Sequence, residues 1–303
     1  MDSLVALVQT RPETVEADIA RALVLAGLLP VAEPPCLWLA APRGGATPAG
    51  EVTPWQVAGV AAACRAAGAS AQPPMVAWDP ASPPRAAVLA LLRHLGLERT
   101  ADDHRADWLL GGVATDRRLR LVGAVAAVLE RGAEAPRAAV LARRPDQLAA
   151  AVRAAGPRRP EGVVLDLTVC ADGNDPVALN LVLAGRDLVA VDAVAARLLG
   201  LEPRECPLLA AAVQAGWGTA TAAAVTLVGD PIGSLPLVRS RETRRGPAGW
   251  QLVDAPAWLR RLGRSWRCGP VAGRRPRRDY ATTAWAKRWR DHADGRHEAK
   301  GTP

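Results

Sequence analysis

The sequence predicts an α/β domain: a mostly parallel sheet with helices on both faces, followed by a basic C-terminal extension. Apolar runs of strand length alternate with helical periodicity from residue 4 to about residue 232. No self-similarity at 20–50 residues interrupts that alternation. The charge divides as well. From Arg239 onward there are 17 basic and 6 acidic residues, against 21 and 24 before it. The reading is therefore an α/β domain over 1–238 and a basic extension over 239–303.

The elements follow in order. Residues 4–8 form a buried first strand, and 13–25 an amphipathic helix with Val15, Ile19, Leu23 and Leu25 on its apolar side. A second strand at 37–40 leads into a small-residue loop over 41–50. Thr53 then reads as an N-cap, Pro54 as the first helical residue and Gln56 as the residue that completes a capping box with Thr53. Gly68 ends that helix. A strand at 75–78, a helix at 84–95, a strand at 106–110 and a helix at 119–129 come next. A helix at 146–155 returns the chain to the central stretch.

That stretch is EGVVLDLTVCADGNDPVALNLVLAGRDLVAVDAVAARLLG, residues 161–200. One carboxylate, Asp166, interrupts its first apolar run. A Gly-Asn-Asp-Pro turn follows at 173–176, and a second apolar run ends at Gly185. Asp187 then caps a helix that is apolar on nearly every face until Gly200, so the helix is buried. Asp192 is a carboxylate inside it and needs a partner there: an arginine, a helix N-terminus, a ligand or a metal. A helix at 206–215 and a strand at 223–228 complete the domain.

Composition excludes several classes. No apolar run has membrane-spanning length without Pro, Gly or charge. The start MDSLVALVQT lacks the basic region of a secretory signal, which points to a cytoplasmic protein. The five cysteines, Cys36, Cys64, Cys170, Cys206 and Cys268, contain no CxxC pair. Neither a disulfide framework nor an iron–sulfur cluster is expected from that spacing. His94, His104, His292 and His297 offer no nucleophile–base pair, so whether the chain is an enzyme stays open.

In open α/β sheets ligands bind beyond the carboxyl ends of the strands. The expected crevice walls are thus the segments 41–50, 79–83 and 166–176. Arg43, Gly44 and Gly45 stand between a strand and a helix N-terminus, a setting that suits a small anion. Asp166, Gly173, Asn174, Asp187 and Asp192 are the other ligand-binding candidates. Asp166 and Asp192 are the candidates for catalysis. Asp79, Asp166, Asp172 and Asp175 could share a divalent cation, but capping and turn carboxylates look the same, and no metal is assigned. The extension combines arginine runs with five of the ten tryptophans. That mixture suits nucleic acid, an anionic membrane surface, a protein partner or the acidic domain itself. Two short helices are expected in it, at 256–262 and at 283–292, the latter with Trp285 and Trp289 on one face.

The strings LAGRDLVAVDAVAARLLGLEP, AAVQAGWGTA and VTLVGDPI, with VALVQTRPETVEADIARALVLAGL near the start, resemble the domain of unknown function 362 family. The resemblance spans roughly residues 4–232, and 183–203 is its most specific part. It implies an α/β domain, in that family often joined to ferredoxin-type iron–sulfur modules. Where the family has Lys-Pro-Asn, this chain has Ala41-Pro42-Arg43. Of a Lys-Thr-His pattern Thr115 remains, followed by Asp116. A Thr-Gly-Ala-Leu-Lys-Asn pattern is matched by Val122, Gly123, Ala124, Val125, Ala126 and Ala127. The acidic-Gly-Asn turn is kept as Asp172-Gly173-Asn174, and the aspartates as Asp166, Asp187 and Asp192. The resemblance thus implies a divergent member that keeps the scaffold and loses its cations.

Two functions are consistent with this. One is a small-molecule enzyme or ligand-binding domain, with Asp166, Asn174 and Asp192 in the crevice and Arg43 nearby. The other is a non-catalytic interaction protein whose extension binds a partner, nucleic acid or a membrane surface.

Overall fold

The computed structural model describes residues 3–40, 49–68, 73–100, 107–116, 119–131, 144–172, 175–231 and 284–293. The chain enters through β1 (Ser3–Gln9), α1 (Val15–Leu25), β2 (Leu37–Leu39), α2 (Pro54–Ala66), β3 (Val76–Ala77) and α3 (Ala86–His94). β4 (Trp108–Asp116), β5 (Arg120–Val122), α4 (Ala124–Leu129) and α5 (Pro145–Ala155) follow. The central hairpin is β6 (Gly162–Asp172) and β7 (Asp175–Gly185), and α6 (Leu188–Leu198), α7 (Pro207–Gln214) and β8 (Val225–Gly229) come after it. From the extension, α8 (Ala284–Ala293) is described.

The strands form one sheet in the order β3-β2-β4-β6-β7-β1-β8, with β5 paired to β4. β1, β2, β3, β4, β6 and β8 run the same way, and β7 runs against both of its neighbours. The sheet is therefore mixed and mostly parallel. α1, α2, α3 and α8 pack together on one face, and α4, α5, α6 and α7 on the other. Val163, Val164, Leu165 and Leu167 of β6 are fully buried. A central strand covered on both faces reads as a continuous apolar run, which is why alternation is absent there.

Two departures from the sequence reading have local causes. The helix expected over 119–129 is split. Residues 120–122 pair back onto β4, with Arg120 opposite Asp116, and Arg120 takes a positive φ of 61°. The helix then begins only after Gly123. The Thr53 hydroxyl accepts from the Gln56 amide at 3.3 Å, half of a capping box. The Gln56 side chain does not return to Thr53. It donates to the carbonyls of Gly111 (3.1 Å) and Val164 (2.9 Å), fastening α2 to β4 and β6.

The sheet opens between β4 and β6 toward their carboxyl ends. Gly112 faces Asp166 and Ala114 faces Ala171, so four residues of β6 lie opposite Val113 alone. The segment leading into α2 fills the gap, and the Gly50 amide donates to the Val169 carbonyl at 2.9 Å. A Cβ on Gly112 would stand 2.3 Å from the Gly50 carbonyl carbon, so only glycine admits this approach.

Candidate functional site

The predicted aspartates do not converge. Gly185 pairs with Val5 and Val163, near the starts of β1 and β6. Asp187 therefore lies at the amino end of the parallel strands, opposite the end where a crevice was expected. It caps α6: Oδ1 accepts from the amides of Val189 and Ala190, both at 2.9 Å. Oδ2 accepts from the Ser3 hydroxyl at 2.6 Å and the Thr219 amide at 3.0 Å. Gly218 is pressed against it, and a Cβ there would come within 1.9 Å of Oδ1. One carboxylate thus joins the helix start, the first strand and the turn after α7.

Asp192 sits on the face covered by α4 to α7. Its carboxylate accepts from the amides of Ala124 (2.7 Å) and Val125 (2.8 Å), the first residues of α4. Of the partners considered for it, a helix N-terminus is present. The two free amides and the macrodipole of α4 satisfy a carboxylate that would otherwise be a buried charge.

Asp166 points to the other face. Its Oδ2 accepts from the Thr53 hydroxyl at 2.5 Å and the Trp55 indole N–H at 2.7 Å. Its Oδ1 accepts from the Thr168 amide at 2.7 Å. Burial pushes its carboxyl above the ordinary range, and hydrogen bonds from Thr168, Thr53 and Trp55 pull against that rise. Chemically it is a knot that ties the start of α2 to the open part of β6. The sheet itself separates it from Asp192, so the two cannot share a substrate atom.

What lies over Trp55 was not foreseen from the strands. α8 covers it. Trp285 packs on Trp55 with ring centroids 5.2 Å apart, Trp289 stands edge-on at 5.9 Å, and His292 at 6.2 Å. Trp285, Ala286 and His292 are buried. The Trp285 indole donates to the Asn180 side-chain oxygen at 2.7 Å. Asn180 holds a left-handed φ of 57° in a bulge of β7, where Thr168 faces two residues instead of one. Arg288 donates to the Pro12 carbonyl and pairs with Glu16 of α1 at 2.6 Å.

Asp79 closes its own turn by accepting from the Ala81 amide at 2.9 Å. Arg43, Gly44, Gly45, Gly173 and Asn174 lie outside the described residues, as does the helix expected at 256–262. Among the described residues no group of three or more His, Cys, Asp or Glu is placed to hold a metal ion. Cys64 and Cys206 are buried, and burial pushes their thiols up to about 11 and about 12, which makes them poor nucleophiles. No helix among the described residues is long and apolar enough to cross a membrane.

Trp55, Asn180 and Arg288 are the residues sequence reasoning missed, while Thr53 and Gln56 read only as a capping box and His292 only as a histidine of the extension. The Trp285–Trp289 spacing was a signal for an apolar helix face, but nothing local named Trp55 as its acceptor. No family model matches the chain, and no curated protein and no solved structure matches it.

Proposed function

We propose that this chain is a non-catalytic interaction protein, a divergent member of the domain of unknown function 362 family whose basic extension engages an anionic partner. One observation carries the reading: the extension's last helix is seated on the domain at Trp55, while Asp166, Asp187 and Asp192 spend their oxygens on the chain's own donors. A catalytic carboxylate needs a free oxygen facing a substrate. These three face backbone amides, hydroxyls and an indole instead. Residues 232–283, which lie in sequence between β8 and α8, carry 12 arginines and three acidic residues.

The test replaces the twelve arginines with glutamine and leaves α8 intact. Binding of the full chain to a single-stranded oligonucleotide and to phosphatidylserine vesicles is measured over a salt series. Wild type should bind one of them with a steep salt dependence that the variant lacks. Equal, salt-insensitive behaviour of the two chains would remove the proposal.

A second reading, a small-ligand domain, draws on a different observation. The Thr10 hydroxyl and the Gln56 side-chain oxygen are buried without a hydrogen-bond partner among the described residues. Such atoms are rare unless a water or ligand meets them. Native mass spectrometry of the purified chain separates the readings, since a stoichiometric bound metabolite belongs only to this one.

A further inference from the structure

We draw no further inference here: the strongest candidate, the surface at the amino end of the sheet where the exposed Leu4, Val24, Met75 and Val213 accompany the exposed Arg158, Arg159 and Arg186, carries nothing because nothing in the structure shows what covers it.

Discussion

The two ends of the sheet are closed in different ways. At the amino end, Asp187 binds Ser3, Val189, Ala190 and Thr219, so three parts of the domain share one carboxylate. At the carboxyl end, Trp55, which donates to Asp166, is closed over by α8, an element separated from β8 by the 54 residues 230–283. The first closure can open only if the domain unfolds. The second is made by an element remote in sequence, whose Trp285 enters the core beside Trp55. One end is tied by a single carboxylate and the other by packing of a distant helix, and perturbing each should show how far the difference reaches.

The largest loss is expected from Gly218→Ala. The added Cβ would sit 1.9 Å from an Asp187 oxygen, which must be driven off its four donors. Denaturant unfolding should show a drop of about 3–5 kcal/mol, in the range of strain plus a broken buried network. Asp187→Ala should follow at about 2–3 kcal/mol, since it removes the cap and strands the donors of Ser3 and Thr219. A change within error for either would mean the amino end is not tied there.

Trp285→Ala should behave otherwise. Truncating a buried tryptophan in a core typically costs about 3–5 kcal/mol. If α8 opens without the sheet, truncating Trp285 can cost no more than the docking free energy, and about 1–2 kcal/mol is expected here. Amides of α8 should lose their exchange protection while those of β6 keep theirs. Simultaneous loss in both would erase the distinction between the two ends. Arg288→Ala should be milder still, below about 1 kcal/mol and shrinking with salt, because its pair with Glu16 is partly exposed.

The finest adjustment is pH. Burial lifts the Asp166 carboxyl above its unfolded value, so the folded chain holds that proton more tightly. Its contribution to stability is complete below the unfolded value and is lost as pH rises through the folded value. Asp166→Asn carries no such proton. Urea midpoints across the acidic range should therefore show wild type losing ground to the variant as pH rises, and a constant difference would contradict the raised carboxyl.

The fold was legible because its signals are local. The Thr53-Pro54 start of α2, the Asp187 cap and the stops at Gly68 and Gly200, with φ of +73° and +72°, are each decided within a few residues. The β5 hairpin was not, since residues 119–122 are apolar enough for either structure and only pairing with β4 chooses. The site was less legible. Asp187 reads as a cap and is one, Asp192 reads as a buried carboxylate needing a partner and meets a helix N-terminus, while Asp166 reads as a crevice residue and instead holds Thr53 and Trp55. Which face each occupies depends on strand parity and on the reversed β7, facts that no local pattern carries. Trp55 and Trp285 meet through a contact between distant parts of the chain, so spacing identified the helix face and said nothing of its receptor.

β1 has a further consequence for how the chain is made. Its partners on the two sides are β7 and β8, which leave the ribosome roughly 170 to 220 residues later at about 5–20 residues per second. Val5, Ala6, Leu7 and Val8 then wait roughly 9 to 34 seconds before the first of those partners is made. α1, which packs on both β1 and α2 and is made directly after β1, is the element placed to cover one face of that strand in the meantime.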